Sequence, residues 1–225
     1  MDLRELSAYR NTFASAYDSV IERIREDLGF VPSGRPSKST TAIVEKLKRE
    51  SVRLSQIQDI AGVRLVVPRI ERQDQVVAQL VQKFARTAVV DRRSRPSHGY
   101  RAVHVIVYLE GVPVEIQVRT ALQHLWAELS EKLSDLFDPS IKYGGGNHNT
   151  QSLLSRTSQV IATEEDQEQR VLLLQIQAQG ATPTDPSIQA ELDALQARTV
   201  DLSSSVAGAL DTMLQDLRRD SEARP

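Results

Sequence analysis

The chain has 225 residues, of which 40% are hydrophobic and 26% charged, a composition typical of a globular protein large enough to bury a core. It has no cysteine and four histidines, which excludes disulfides, thiolate metal sites and a cysteine nucleophile and leaves little material for a zinc site. The net charge of −2 conceals an asymmetry, since residues 161–225 carry 12 acidic and 5 basic side chains and the preceding part therefore carries +5. We expect an anionic ligand in that preceding part and a solvated helical surface in the acidic part.

The hydrophobic pattern predicts an alternation of helices and short strands up to residue 91. A loop rich in proline and serine separates the first two helices, and Gly29 can end the first of them. The predicted elements are a helix over 3–28, a loop over 30–40, a helix over 41–53, a buried strand from Val63 to Pro68, a helix over 71–86 and a strand over 87–91.

The second half of the pattern begins with a hairpin whose turn is Glu110-Gly111. Its predicted strands cover 101–109 and 112–119, and a helix over 120–137 and a glycine loop over 144–146 follow. Two further helices, over 151–180 and 186–219, flank a break at 181–186. No apolar run is long enough to span a membrane, and the first residues lack the layout of a signal peptide, so no membrane partner and a cytoplasmic location are expected.

The hairpin collects polar side chains on one face. Counting outward from the turn places valines, an isoleucine and a leucine opposite one another on the other face, which must cover a core. The polar face pairs Ile106 with Glu115, His104 with Gln117, and Ala102 with Arg119. This pattern alone leaves two interpretations open, a solvated sheet surface and a functional site.

A basic stretch leads into the hairpin and favours the second interpretation. Residues 83–101 contain six basic side chains and one acid, and Tyr100 follows a glycine within them. An aromatic platform among arginines, close to a carboxylate, suits a nucleotide, which has a base to stack and phosphates to neutralise.

Asp59 is a second carboxylate, placed shortly before the buried strand. Together with Glu115 it could hold Mg²⁺ while lysines and arginines bind phosphates; the alternative is an ordinary turn acid. Strict alternation would put Asp59 and Arg64 on opposite faces, so both reach one site only if the chain bends or bulges, and Gly62 is the expected place.

Four motifs, in this order and with this spacing, resemble the synthetase domain of the RelA/SpoT family over about residues 35–135. They are Lys38-Ser39 with Lys46-Leu47-Lys48-Arg49, Asp59-Ile60-Ala61-Gly62-Val63-Arg64, Gly99-Tyr100-Arg101-Ala102-Val103-His104, and Glu115-Ile116-Gln117-Val118-Arg119-Thr120.

The resemblance implies an α/β (α+β) fold, a mixed sheet flanked by helices and related to nucleotidyltransferases, with extra N- and C-terminal helices. It implies a synthetase domain over residues 1–145 and a helical extension over 146–225. The implied reaction is the Mg²⁺-dependent transfer of pyrophosphate from ATP to the 3′-hydroxyl of GDP or GTP, which yields ppGpp and pppGpp. No His-Asp dipeptide occurs, so the chain resembles a small stand-alone synthetase without the family's hydrolase domain.

The resemblance also implies a role for each site residue. Asp59 would bind Mg²⁺, and Glu115 would bind the metal or accept the proton of the 3′-hydroxyl. ATP would be bound by Lys38, Lys46, Arg49, Arg64 and Arg35. Tyr100 would stack on the acceptor guanine, and the remaining acceptor contacts would come from Arg101, His104, Gln117 and Arg95.

Three other functions stay open at this point. A toxin-like relative of the same fold pyrophosphorylates the 3′ end of tRNA, which the basic residues 92–101 could accept, and another relative uses adenine nucleotides as acceptors. A catalytically inactive nucleotide-binding regulator is the third reading. Small synthetases of this family often form homotetramers through terminal helices, and the helices over 151–219 suit that purpose.

Overall fold

A computed structural model of the protein describes residues 3–180 and 186–222, so most of the predicted break, residues 181–185, lies outside the described residues. Short 3₁₀ turns occur at Leu54–Gln56 and Ile141–Tyr143. The helices and strands are α1 Leu3–Leu28, β1 Ser33–Arg35, α2 Thr40–Glu50, β2 Ala61–Val67, α3 Ile70–Lys83, β3 Thr87–Asp91, β4 Val103–Leu109, β5 Val112–Thr120, α4 Ala121–Leu136, α5 His148–Gly180 and α6 Pro186–Glu222. Among the described helices, none combines the length and apolar character that crossing a membrane requires.

The described strands form one mixed sheet in the order β1-β2-β5-β4-β3. The pairs β1-β2, β5-β4 and β4-β3 are antiparallel. The predicted α/β class with a mixed sheet flanked by helices is therefore confirmed.

The hairpin of β4 and β5 has the predicted register, from Val103 opposite Val118 to Leu109 opposite Val112. Its turn residues both have positive φ, 51° at Glu110 and 84° at Gly111, as a two-residue type I′ turn requires. Only the outermost predicted pair, Ala102 with Arg119, falls outside the ladder, because β4 begins at Val103, one residue after Ala102. The Ala102 carbonyl accepts a hydrogen bond from the Arg92 N–H at 2.9 Å.

The sequence pattern does not predict β1, an edge strand of three residues without a β-branched side chain. It pairs with β2, and Gly34 lies opposite Val63. A Cβ atom at Gly34 would collide with the carbonyl oxygen of Gly62, so the two strands approach this closely only because residue 34 is glycine.

The chain divides into two compact units. The first comprises residues up to 66, 74–91 and 103–119, and the second comprises 67–73, 92–102 and the residues from 120 onward. The division at residue 145 that the family resemblance implies stays a prediction.

In the first unit, the predicted apolar face of the hairpin is buried. Six of its eight side chains are at most 1% exposed, each contributing about 1.5–3 kcal/mol by leaving water, while Leu109 and Val112 beside the turn are partly buried. The six are Val103, Val105, Val107, Val114, Ile116 and Val118. The opposite face is thereby left to carry the polar residues.

In the second unit, α4 contributes one side of a core that α5 and α6 complete. The buried members of this core are Leu122, Trp126, Ala127, Leu129, Leu133, Ile141, Leu154, Ile161, Leu210 and Leu214. A capping box begins α4, in which Thr120 accepts from the Gln123 N–H and the Gln123 side chain accepts from the Thr120 N–H.

Two carboxyl groups of α5 lie in a cavity of about 460 Å³ that is lined by the start of α3, by α5 and by α6. Burial and the neighbouring charge of Glu168 raise the pKa of Glu164 from an ordinary 4.5 to about 7. Burial also raises the pKa of Glu168, although its carboxylate accepts a hydrogen bond from the Ile70 N–H at 3.0 Å. The folded protein therefore binds a proton at Glu164 more tightly than the unfolded chain does.

Replacing Glu164 by Gln should stabilise the protein at pH 8 and leave its stability nearly unchanged at pH 4, below the ordinary pKa of the carboxyl. A carboxyl whose folded pKa is raised contributes stability below its ordinary pKa of 4.5, and this contribution is lost as the pH rises through about 7. Glutamine mimics the protonated form at every pH, so the melting temperature of E164Q should exceed that of the wild type by about 2–4 °C at pH 8. Thermal unfolding at both pH values measures this, and an equal difference at both would contradict it.

Candidate active site

Asp59 lies immediately before β2 and is held by two lysines. The Lys38 ammonium is 2.5 Å from its Oδ2 atom, and the Lys46 ammonium is 2.9 Å from its Oδ1 atom. All three side chains are between 15% and 20% exposed, so the cluster is shielded but open to a ligand. Both carboxylate oxygens of Asp59 therefore have a cationic partner.

Local structure explains why the two lysines converge. The Lys38 N–H donates to the Ile60 carbonyl at 2.7 Å, which holds the segment after β1 beside the residues that precede β2. One residue later, Ser39 caps α2 by accepting the Ala42 N–H at 3.2 Å. Lys46 lies in the second turn of the helix that this cap begins.

The bend needed to bring Asp59 to the site occurs at Ile60, not at the expected Gly62. β2 is regular from Ala61 onward, with alternating buried and less buried residues and with Gly62 directly opposite Arg35. Because Asp59 precedes the strand, the alternation that separates it from Arg64 does not extend to it, and a bulge at Gly62 is unnecessary.

Glu115 occupies the polar face of the hairpin, as predicted. His104 Nδ1 lies 2.9 Å from its Oε1 atom, and Gln117 Nε2 donates to its Oε2 atom at 2.7 Å. His104 and Gln117 are direct cross-strand partners, and Glu115 is the diagonal neighbour of His104 on the same face. The carboxylate is thereby fixed in orientation by one neighbour on each oxygen.

Both carboxyl groups are held in the ionised form. Burial alone would raise the pKa of Asp59, but the charges and hydrogen bonds of Lys38 and Lys46 outweigh it and lower that pKa below its usual value. Burial likewise would raise the pKa of Glu115, and the hydrogen bonds and charge of His104, with the hydrogen bond of Gln117, outweigh it. The charge of Asp59 raises the pKa of Glu115, so the two carboxylates repel each other.

The pair of carboxylates fits a magnesium ion. They come from the approach to β2 and from β5, which are neighbours in the sheet, and a divalent cation would relieve their repulsion. Within residues 3–180 and 186–222, no group of three or more histidine, aspartate or glutamate side chains is arranged as a metal site. Mg²⁺ commonly binds through one or two carboxylates and completes its coordination with water and substrate phosphates, and this donor set suits that mode.

The other three predicted ATP-binding residues lie on β2, β1 and α2. Arg64 lies on the less buried face of β2, opposite Ser33. Arg35 is exposed on the edge strand β1, and Arg49 lies on α2 with its guanidinium 3.0 Å from Glu50. The structure thus brings Lys38, Lys46 and Asp59 into direct contact.

One residue of the hairpin face had no predicted role. Arg119 is 3% exposed and donates to the Gln117 side-chain oxygen at 2.8 Å, so Gln117 links it to Glu115. The hairpin register predicted the position of Arg119 on this face, and only its role was missing from the prediction.

The remaining predicted acceptor residues belong to the second unit. Tyr100 is half-buried, with its ring centroid 6.4 Å from that of Trp126. Arg95 is exposed. Arg101 forms an ion pair with Glu165, a residue of α5 that the sequence reasoning assigned to a solvated surface.

Part of the chain is similar in sequence to known proteins. Residues 34–134 match the family model described as the region found in RelA / SpoT proteins. An uncharacterised protein of Mycobacterium tuberculosis is 40% identical over 111 residues, which cover 48% of this chain and 41% of that protein. The GTP pyrophosphokinase YjbM of Bacillus subtilis is 32% identical over 121 residues, covering 46% of this chain and 56% of that protein.

The fold is also similar to that of a solved structure, the small alarmone synthetase 1 from Bacillus subtilis bound to its product pppGpp. The TM-score is 0.53 at 24% identity, over 72% of this chain and 95% of that one. The two sequence relatives are matched over only about half of their own length, 41% and 56%.

Proposed function

We propose that the protein is an alarmone synthetase that transfers pyrophosphate from ATP to the 3′-hydroxyl of GDP or GTP, since residues 34–134 match the model of the region found in RelA / SpoT proteins. The observation that carries the proposal is the pair of ionised carboxylates, Asp59 and Glu115, beside two lysines. Transfer of a phosphoryl-type group depends mainly on positioning and on charge neutralisation, and this cluster supplies both.

Glu115 is the group that would accept the proton. In the proposed step the acceptor 3′-oxygen bonds to the β-phosphorus of ATP, and the bond from that phosphorus to the α,β-bridging oxygen breaks, so AMP leaves. The hydroxyl proton passes to Glu115, whose lowered pKa keeps it ionised at neutral pH and whose two oxygens are oriented by His104 and Gln117.

Lys38 and Lys46 would bind the phosphates of ATP. Their ammonium groups are paired with Asp59, and phosphate oxygens would compete for the same donors. Asp59 and Glu115 would hold Mg²⁺, which would neutralise charge on the transferring phosphates when bound. Arg49, Arg64 and Arg35 are assigned to the outer phosphates and the donor nucleotide on the family resemblance.

The acceptor side of the proposal rests on Tyr100. Its ring would stack on the guanine, with His104 and Gln117 contributing polar contacts and the exposed Arg95 neutralising acceptor phosphates. A homotetramer belongs to the same proposal, and the apolar side chains of Leu173 and Ile176, 60% and 58% exposed on α5, are available for self-association.

The test is a transfer assay with purified protein, Mg²⁺ and ATP labelled in its β- and γ-phosphates. GDP, GTP, ADP, AMP and deacylated tRNA are offered separately. Label on GDP or GTP is the expected result. Label on tRNA alone would replace the proposal with a translation-blocking activity, label on ADP or AMP alone with an adenine-nucleotide synthetase, and no transfer to any acceptor would reject it.

A further inference from the structure

The side chain of Arg101 is held by Glu165, which lies far along the chain on α5. Arg101 Nε and Nη2 both donate to Glu165 Oε2, at 3.0 Å and 2.5 Å. The two side chains are 12% and 4% exposed, so the ion pair is almost entirely removed from water. A guanidinium in this position is already neutralised by its partner.

The second oxygen of Glu165 is also engaged. Glu165 Oε1 accepts from Gln123 Nε2 at 2.5 Å, and Gln123 Oε1 accepts from the Thr120 N–H at 3.1 Å and from Gln73 Nε2 at 2.8 Å. Gln123 is 1% exposed. Glu165 therefore connects Arg101 to the capped start of α4 through a buried chain of hydrogen bonds, and such chains fix side chains in single orientations.

The loop that carries Tyr100 is packed on the same two helices. Ser97 and Tyr100 exchange backbone hydrogen bonds at 2.9 Å and 3.3 Å, which closes a tight turn. Gly99, with φ of +90°, approaches so closely that a Cβ atom there would lie 2.8 Å from the Trp126 ring. The Trp126 indole N–H donates to the Leu154 carbonyl of α5 at 2.8 Å.

We propose that Glu165 is a positioning residue of the acceptor site, which fixes Arg101 and through it the adjacent Tyr100. Arg101 is then an anchor of the acceptor loop and not a ligand of the nucleotide phosphates. The inference rests on the proposed function for the identification of Tyr100 as the acceptor platform. It extends the site to a residue outside the RelA/SpoT-matched residues 34–134.

Neutralising Glu165 separates the two roles that Arg101 could have. If Arg101 is an anchor, removing its partner leaves an uncompensated buried guanidinium, and the loop loses its fixed orientation. If Arg101 instead binds acceptor phosphate, removing the competing carboxylate frees it, and acceptor binding stays the same or becomes tighter.

The experiment compares the wild type with Glu165→Gln and with Glu164→Gln, a neighbouring carboxyl on α5, in the transfer assay. We expect E165Q to raise the KM for GDP or GTP about tenfold, which corresponds to the loss of one favourable interaction. The KM for ATP should stay within about twofold of the wild-type value. The E164Q variant should have the wild-type KM for the acceptor and for ATP. An unchanged or lower acceptor KM in E165Q would overturn the proposal, and so would an equal loss toward ATP, which indicates general unfolding.

A double-mutant cycle with Arg101→Gln adds a test of mechanism. If Arg101 and Glu165 act as one anchor, R101Q and E165Q should raise the acceptor KM by similar factors, and the double variant should be no worse than either. A markedly larger effect of R101Q, additive with E165Q, would show that Arg101 contacts the nucleotide itself and would overturn the anchor role.

A readout independent of activity comes from Trp126, the single tryptophan of the chain. We expect acrylamide to quench its fluorescence more efficiently in E165Q than in the wild type or E164Q, because the loop that covers the ring is released. Equal quenching in all three would overturn the positioning role. A wild type that transfers nothing to guanine nucleotides would reject the proposed function, and the quenching comparison would still decide whether Glu165 holds the loop.

Discussion

Replacing Glu115 by Gln should lower the rate of pyrophosphate transfer by about 10²–10⁴-fold, the usual contribution of a general base. The amide cannot accept the 3′-hydroxyl proton, and it also removes one of the two charges that would hold Mg²⁺. Because glutamine has the shape of glutamate and lies on a strand of a buried sheet, the variant should fold, which thermal unfolding checks. The measurement is kcat with GDP or GTP at saturating ATP.

The matched control is Glu110→Gln in the turn of the same hairpin. Glu110 is exposed at the turn of the hairpin, so we expect the E110Q variant to have the activity of the wild type. An E115Q variant that keeps more than about a tenth of the wild-type rate would remove Glu115 from the proton-accepting role.

Replacing Asp59 by Asn should separate nucleotide binding from catalysis. The rate should fall by at least about 10²-fold, because a charge that stabilises the transferring group through the metal is lost. Without Mg²⁺, a nonhydrolysable ATP analogue should bind the variant at least as tightly as the wild type, because Lys38 and Lys46 lose the carboxylate that now holds them. Calorimetric titration of the analogue, with and without Mg²⁺, measures the second effect.

Glu45→Gln serves as the control for this variant. Glu45 is exposed on α2, one residue before Lys46, and its neutralisation changes the helix charge without touching the cluster. If D59N bound the analogue far more weakly than E45Q in the absence of Mg²⁺, the lysines would not be the phosphate ligands, and Asp59 would serve mainly to position them.

The residues of the hairpin face were predictable because a two-residue turn fixes the register of both strands. Counting from Glu110 and Gly111 alone places Glu115, His104 and Gln117 together, and the structure has this arrangement. The buried face followed from the same count. In this part of the fold, local chemistry and tertiary packing point to the same answer, so the sequence pattern suffices.

Contacts between distant segments left weaker signals. Lys38 and Lys46 reach Asp59 across 21 and 13 residues, and only the family motifs suggested that they belong to one site. The bend was predicted at Gly62 because glycine is the residue that most often interrupts a strand. In the structure the bend is at Ile60, and the strand begins directly after it. β1 could not be predicted because its own residues do not favour a strand. It is a strand because it pairs with β2.

Glu165 was not predictable from the sequence. It lies in a run of acidic residues, next to Glu164, and such runs are usually solvated. Its burial depends on where α5 packs within the second unit, and no periodicity distinguishes a glutamate that meets an arginine from one that meets water. The excess of acidic residues in this part of the chain predicted a solvated surface, and the buried ion pair of Glu165 with Arg101 was therefore not predicted.

The distance along the chain between Arg101 and Glu165 has a consequence for biosynthesis. The two residues are 64 positions apart, so a ribosome adding about 5–20 residues per second needs about 3–13 s to supply the partner of an arginine already made. β1, β2 and β3 are made before that interval, and β4 and β5 are completed within it, so all five strands of the sheet exist while the acceptor loop still lacks its anchor. A nascent chain therefore contains Asp59, Glu115 and the two lysines of the candidate site before it contains Glu165, and a chain that ends before residue 165 lacks the proposed anchor of Arg101.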